Sequence, residues 1–296
     1  VGRLAAVAAE ADGVGALSEA SRLALGADSP PGTRHLIALS GNRVTGYAQV
    51  WPDDSAELVV APAERRQGVG RALWKCASRE GAQRVWAHGD LPAAQAFAAA
   101  LSLVPTRSLL KMGRPLTEDD LCPRPLPPGY ASLTFAERAT SAADPIGELQ
   151  ALNAEAFAGH PEQGRLSVED LRTRMAEPWF DPEGLIYVVD TETGEDGGDH
   201  APIAFHWTKI DTDQGRPPAT GEVYVVGVSP AYQGRGLAGP LTDLGLAHLV
   251  KRGCTDVVLY TAGDNVAARH TYERAGLRVL TADRVYATVK QGRIDP

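Results

Sequence analysis

The sequence predicts an α/β (α+β) protein built from two tandem domains. Three observations carry this reading: a Gly-rich segment that occurs twice, a shared order of elements around each copy, and a Pro-rich stretch between them. The copies are Gln233-Gly234-Arg235-Gly236-Leu237-Ala238, after the apolar run Val223–Val228, and Arg65-Arg66-Gln67-Gly68-Val69-Gly70, after Leu58-Val59-Val60. Pro62 to Gly68 and Pro230 to Gly236 have the same internal spacing and lie 168 residues apart, which indicates duplicated domains rather than a solenoid. Between them, Arg114–Tyr130 holds five of the 21 prolines. Proline fixes φ and lacks an N–H, so this stretch predicts an extended linker. The chain divides into a first domain over 1–118, a linker over 119–130 and a second domain over 131–296.

In the second half, Pro145–Phe157 and Val168–Ala176 show helical spacing of apolar residues. Leu185–Asp190 and Pro202–Lys209 are rich in β-branched and aromatic residues and predict strands joined through the turn-rich Gly194–Asp199. Val223–Val228 is nearly all apolar and predicts a central strand. A helix over Leu237–Lys251, a strand over Val257–Thr261 and a helix over Val266–Ala275 follow, the last with Asn265 as N-cap and Gly276 as its stop. Leu277–Val289 supplies one or two final strands. The first half repeats the order: a helix near Leu17–Leu25, strands His35–Leu39, Val44–Trp51 and Glu57–Val60, helix Val69–Glu80, strand Arg84–His88, helix Ala93–Leu101 and strand Leu109–Gly113.

Composition narrows the class. The chain has 296 residues, 44% hydrophobic and 22% charged, enough for two buried cores. The net charge of −8 argues against a general nucleic-acid binder. The sequence holds no apolar run of membrane-spanning length, and the short apolar stretch Leu4–Ala11 lacks a basic flank, so neither a membrane span nor a signal peptide is expected. Cys76, Cys122 and Cys254 fit no zinc spacing and read as reduced thiols. A cytoplasmic monomer without a metal is the expectation. Only five of the 29 basic residues are Lys, and Ala, Gly and Arg abound, as in proteins of GC-rich bacterial genomes.

A Gly-rich loop that opens a helix turns several backbone N–H groups toward one point, at the positive end of the helix dipole. Phosphate binds there. Gln233, Gly234, Arg235, Gly236, Leu237, Ala238 and Gly239 therefore predict a pyrophosphate cradle, with Arg66, Gln67, Gly68, Val69, Gly70 and Arg71 as its copy.

The Gln-x-x-Gly-x-Ala segment after an apolar strand, followed by Asn265 and Tyr272 on a later helix, resembles the GNAT acetyl-CoA-dependent N-acetyltransferases. The resemblance implies that each domain is a mixed, mostly antiparallel twisted sheet flanked by helices. It implies acetyl-CoA as co-substrate, held by Val226, Gly227 and Val228 on the strand, by the loop, and by Asn265, Val266, Ala267, Ala268, Arg269 and His270 at the later helix. Leu58, Val59 and Val60 would do the same in the first half. The backbone N–H of Val228 would meet the thioester oxygen, where charge develops. Tyr272 lies seven residues after Asn265, on the same helix side, and would protonate the departing thiolate.

Segments outside that motif add an acceptor. Ala156-Phe157-Ala158-Gly159-His160-Pro161-Glu162-Gln163-Gly164, Trp179-Phe180-Asp181-Pro182, Phe205-His206-Trp207-Thr208-Lys209 and Gly221-Glu222-Val223-Tyr224-Val225 are similar to a branch of that family. This branch acetylates the cysteinyl amine of the small molecule Cys-GlcN-inositol. A free α-amino group has a pKa of about 8 and needs a base at neutral pH. Glu222 begins the central strand six residues before Val228, so both side chains are expected on one sheet face, with Glu222 as base. Glu19, Glu162, Lys209, Glu222 and Tyr260 are the expected acceptor contacts. His160 and His206 have no adjacent carboxylate in the sequence and read as packing or loop residues; Trp179-Phe180 reads as a packing pair. Another small-molecule amine, a protein N-terminus, or a non-catalytic acetyl-CoA sensor remain open alternatives.

The halves are not equivalent. Aligning Asp90-Leu91 with Asp264-Asn265 puts Leu91 in place of Asn265 and Ala98 in place of Tyr272. An ungapped alignment puts Asp54 opposite Glu222. The first half is expected to bind acetyl-CoA without turning it over.

Overall fold

The computed structural model describes residues 1–296 except 27–28, 160–162, 193–199, 211–219 and 289–296. The expected turn at Gly194–Asp199 lies outside the described residues. Two compact units emerge. The first takes Val1–Leu110, Ala262–Asp264 and the chain from Thr281; the second takes Lys111–Thr261 and Asn265–Leu280. Among the described residues no helix is long and apolar enough to cross a membrane.

The first unit contains helix α1 (Gly2–Asp12), helix α2 (Glu19–Leu23), strands β1 (Arg34–Ser40), β2 (Arg43–Val50) and β3 (Ser55–Val60), helix α3 (Val69–Arg79), strand β4 (Arg84–Ala87), helix α4 (Pro92–Ala100) and the first part of strand β5 (Leu103–Pro115). The helix α1 arises from the stretch that reads in sequence only as a short apolar run. It buries Leu4, Ala5 and Ala8 against Tyr47 and Val59, and stops at Gly13, whose φ of 69° is the left-handed value that glycine adopts without steric cost.

The second unit contains the end of β5, strand β6 (Tyr130–Thr134), helices α5 (Phe135–Ser141), α6 (Pro145–Ala156) and α7 (Val168–Met175), strands β7 (Leu185–Asp190), β8 (Pro202–Lys209) and β9 (Thr220–Val228), helix α8 (Ala238–Lys251), strand β10 (Asp256–Ala262), helix α9 (Val266–Arg274) and the start of strand β11 (Arg278–Thr288). Capping boxes at Thr134/Glu137 and Ser167/Asp170 satisfy the first N–H groups of α5 and α7, and Asp144 does so for α6. Two apolar layers sandwich the sheet. Leu149, Leu152 and Leu171 press on Tyr187, Phe205 and Trp207 on one face; Leu237 and Leu241 press on Val188 and Ala204 on the other. Each large side chain buried this way stabilises by about 1.5–3 kcal/mol.

The strands pair as the sequence reading of a mixed, mostly antiparallel sheet requires. The β3–β4 and β9–β10 pairs are parallel; β1–β2, β2–β3, β4–β11, β6–β7, β7–β8 and β8–β9 are antiparallel. The strand β11 changes unit along its length. Past Leu280 it pairs with β4 of the first unit, Arg284 opposite Ala87 through Ala287 opposite Arg84.

Two local expectations need correction. The stretch Arg114–Tyr130 is not extended throughout: Glu118–Leu121 forms a 3₁₀ turn capped by Thr117 and Asp120, and Arg114 Nη1 bonds Asp120 at 2.8 Å. Three acidic residues at the positive end of that turn outweigh the flanking prolines. A β-bulge also interrupts β8–β9. Trp207 faces Val225 and Thr208 faces Val223, so Tyr224 is an extra residue in β9.

Candidate functional site

The second unit's site starts from how β9 leaves β10. The register runs from Thr220 opposite Asp256 to Val223 opposite Leu259 and ends there. From Tyr224 to Val228 the edge of β9 that faces β10 has no ladder, so its backbone groups line an open wedge. Gln233 Nε2 bonds the Val228 carbonyl at 3.2 Å and ties the loop to the strand end. Gly234 and Gly236 take φ of 76° and 80°, and α8 begins without a side-chain cap. Successive N–H groups around left-handed residues form an anion-binding concavity. A Cβ placed on Gly234 meets nothing within 4 Å, so the loop is open where a pyrophosphate group would sit. The residues present fit such a group.

Sequence reasoning missed Arg124. Its Nη2 lies 3.1 Å from where a Cβ on Gly239 would stand, and it bonds Asp243 at 2.9 Å, so a guanidinium borders the start of α8. Nothing in its Pro-flanked context signalled this. Arg235 is instead engaged beside the loop, with Tyr130 Oη at 3.2 Å and the Tyr232 ring at 4.6 Å.

Asn265 caps α9, its Oδ1 accepting from Ala268 N at 3.1 Å. Tyr272 is half-buried, and burial pushes its phenol up to about 12. It is therefore protonated at neutral pH, and its hydroxyl makes no hydrogen bond to the described residues. A Tyr272→Phe change removes no bond from the fold. If Tyr272 acts as the general acid, the expected result is an unchanged thermal midpoint with kcat lowered about 10²- to 10⁴-fold, read by thiol release and calorimetry.

The bulge overturns the expected placement of Glu222. Paired residues share a face: Glu222 pairs with Lys209, whereas Val228 pairs with Ala204, and positions 204 and 209, on the part of β8 beyond its own irregularity at Ile203, point oppositely. Glu222 and Val228 are thus on opposite faces, because the extra residue Tyr224 flips the alternation. Glu222 shares its face with Lys209, Trp207 and Phe205. The neighbouring rings are tightly grouped: Trp179 lies 5.1 Å from Tyr224 and 5.9 Å from Trp207, and Lys209 Nζ lies 5.3 Å over Trp179. Tyr224 Oη accepts from Arg174 Nε at 3.0 Å. Tyr260 sits half-exposed on the next strand. Glu162 and His160 lie outside the described residues. Glu19 opens α2 in the first unit, and its side chain is likewise outside them.

His206 is fully buried under α8. Its Nδ1 bonds the Leu241 carbonyl at 3.0 Å, and burial pushes its pKa down to about 4. A Cβ on Gly245 would fall 1.9 Å from its ring, so this histidine and that glycine are fitted to each other as packing. Trp179 and Phe180 pack on the same aromatic cluster.

The first unit repeats the loop geometry with different side chains. Arg66 and Gly68 take φ of 63° and 89°, matching Gly234 and Gly236, so the left-handed turn persists even with a non-glycine residue. Arg65 Nε bonds the Val60 carbonyl at 3.3 Å, as Gln233 bonds that of Val228, and its other nitrogens clamp Asp12 at 2.7 Å. The pairing β3–β4 also ends early, after Ala56 opposite Val85. Beyond the loop the copies diverge. Leu91 offers α4 no side-chain cap, Ala98 is buried, and the Phe97 ring lies 3.1 Å from a Cβ placed on Gly70. Because β3 has no bulge, the position in the first unit equivalent to Glu222 is Ser55 rather than Asp54; Asp54 is a turn residue bonded to Arg84 Nε at 2.6 Å.

Glu57 and His88 lie where β3 and β4 splay. Ser18 N and Oγ donate to Glu57 at 2.7 and 2.6 Å, His88 Nε2 is 3.2 Å from Glu57, and His88 Nδ1 is 3.1 Å from Asp283. Burial pulls His88 down, but Asp283 and Glu57 together outweigh it and raise the imidazole from 6.5 to about 9. Burial likewise favours a protonated Glu57, yet His88 and Ser18 hold its carboxyl below the ordinary range. A raised imidazole stabilises the fold fully below pH 6.5 and loses that contribution as pH rises to about 9. The expected result is that wild-type stability falls by up to about 3 kcal/mol more than that of His88→Gln across this window, measured by urea unfolding.

The open wedge, the uncapped Gly-rich loop and their repetition define a tandem acetyltransferase of the GNAT class. Residues 149–277 match the Acetyltransferase (GNAT) family and residues 31–101 an Acetyltransferase (GNAT) domain. A GCN5-related N-acetyltransferase from Sphaerobacter thermophilus shares the fold with a TM-score of 0.71 at 22% identity, over 97% of this chain and 90% of that one. A tandem GNAT protein from the clavulanic acid biosynthesis pathway does so with a TM-score of 0.65 at 20% identity, over 97% and 92%. The mycothiol acetyltransferase of Nocardia farcinica is 43% identical over 97% of this chain and 92% of its own length. That of Thermobispora bispora is 43% identical over 96% and 93%. The chain belongs to the mycothiol acetyltransferase family.

Proposed function

We propose that the protein transfers the acetyl group of acetyl-CoA to the cysteinyl amine of Cys-GlcN-inositol, giving mycothiol and CoA. The observation that carries this reading is the likeness to mycothiol acetyltransferases along 97% of the chain. The second unit is the one that does chemistry in this reading, because it alone combines the wedge and loop with Asn265, Tyr272 and Glu222.

Acetyl-CoA supplies the activated acyl group. The loop Gln233–Gly239 and the start of α8 hold its pyrophosphate, with the Asp243-paired guanidinium of Arg124 beside them. Val226–Val228 and Asn265–His270 hold the pantetheine arm. A backbone N–H on the unpaired edge of β9, at the end of Tyr224–Val228 nearest Glu222, stabilises the negative charge that develops on the thioester oxygen. Glu222 takes the proton from the acceptor amine, directly or through one water. Tyr272 returns a proton to the leaving thiolate; its raised pKa keeps that proton available. Glu162, Lys209 and Tyr260 recognise the acceptor. Leu58–Val60 and Arg66–Arg71 hold a second acetyl-CoA that the first unit does not turn over. The enzyme works as a cytoplasmic monomer on small molecules alone, without metal, membrane or nucleic acid, a reading that its net charge of −8 supports.

The test is thiol release from acetyl-CoA with Cys-GlcN-inositol, GlcN-inositol and a panel of peptides as acceptors. A strong preference for the cysteinyl compound is expected. Equal turnover of the peptides would overturn the acceptor assignment.

A further inference from the structure

The strand β10 is an interior strand, with β9 on one side and the end of β5 on the other. Side chains on such strands are ordinarily covered, yet Tyr260 is 49% exposed. The face it occupies follows from the register. Glu222 pairs with Val258, so Val258 and Tyr260, two residues on, share the Glu222 face. Glu222 in turn pairs with Lys209. On the far side, Lys111 of β5 places its Nζ 5.8 Å from the centre of the Tyr260 ring. One face of the second unit thus presents, strand by strand, Lys111, Tyr260, Glu222 and Lys209.

Lys111 forms no ion pair with any carboxylate of the described residues. It is half-buried, and its contact with Tyr260 is of the cation–π kind, which orients an ammonium without consuming its N–H donors. Its position excludes the pyrophosphate as a ligand. Tyr260 follows directly on the last β9–β10 pair, at Val223, whereas the Gly-rich loop starts beyond Val228. Five strand residues span about 16 Å, far beyond the reach of a lysine held over Tyr260. The group that meets Lys111 lies on the acceptor's side of the wedge.

We infer that Lys111 is an acceptor-specificity residue: its ammonium donates to hydroxyl oxygens of the polyhydroxylated part of the acceptor, while Tyr260 holds it in place and offers a ring face to the sugar. The inference rests on the acceptor reading given above. A charge-assisted hydrogen bond of this kind distinguishes a polyol from an apolar or truncated amine more than it affects the acetyl donor.

The experiment compares wild type, Lys111→Met and Lys111→Arg by thiol release, with Cys-GlcN-inositol and with cysteine amide, which keeps the reacting amine and lacks the polyol. The Met variant is expected to raise KM for Cys-GlcN-inositol about 10- to 100-fold, with no comparable rise in KM for acetyl-CoA. It should cost nothing in kcat/KM toward cysteine amide, and the Arg variant should recover part of the loss. An unchanged acceptor KM, or an equal loss with cysteine amide or acetyl-CoA, overturns the role of Lys111 while the acceptor reading stands. If wild type itself does not turn over Cys-GlcN-inositol, the acceptor reading falls and the assignment of Lys111 falls with it.

Discussion

Glu222→Gln is expected to lower kcat at pH 7 by about 10²- to 10⁴-fold, the range that a positioned base contributes. The substitution keeps the side-chain volume while removing the charge, and the backbone is fixed in the ladder by its pairs with Lys209 and Val258, so the strand should keep its register. The loss should depend on pH in a definite direction. An α-amino group of pKa about 8 is mostly protonated at pH 6–7 and mostly free above pH 9. The deficit of the variant should therefore be greatest in the acid range and shrink as pH rises past 8. The measurement is kcat against pH for both enzymes under saturating acetyl-CoA. A variant with wild-type kcat at pH 7 removes Glu222 as the base; a constant deficit at all pH values assigns it to acceptor positioning instead.

The second large effect concerns β11. The first half expressed alone, as residues 1–118, is expected not to reach a stable fold. It lacks the strand that pairs with β4 and buries Val285 and Tyr286, 4% and 8% exposed, the latter in the core formed by Trp74, Ala77 and Val85. It also loses Asp283, which bonds His88 and the Gly89 N–H at 2.8 Å, and the Tyr286–Asp90 bond of 2.7 Å. Two buried side chains together with a charged cluster left without a carboxylate approach the 5–15 kcal/mol that holds a typical domain. Circular dichroism and proteolysis of the fragment test this. A peptide of residues 278–290 added in trans should restore protection; a fragment that unfolds cooperatively without it contradicts the expectation.

Much of the architecture was legible because it is periodic. Each β-branched run that reads as a strand is one, and the duplicated loop announces itself through proline and glycine, whose backbone preferences act locally. What escaped was set by partners distant in sequence. Whether β11 serves its own half or the other is decided by pairing with β4, which leaves no local mark. The helix α1 hides in a run of alanines whose burial against Tyr47 and Val59 only the fold supplies. The helix α5 does carry a local mark, the box Thr134-x-x-Glu137. At the site, residue types were legible and directions were not. An extra residue at Tyr224 has no composition signature, yet it inverts which face Glu222 occupies and shifts which position of the first half is its equivalent. Arg124 and Lys111 are ordinary basic residues until the sheet brings one to the start of α8 and the other to Tyr260.

The exchange of strands also gives the chain a timetable. Leu110 leaves the ribosome roughly 170 residues before Thr281 does, an interval of about 10–30 s at bacterial rates of synthesis. Throughout it, β4 offers an unpaired edge, the kind that recruits strands from other chains. The half made first is finished last, so a nascent chain stalled in its second half carries an exposed template for aggregation.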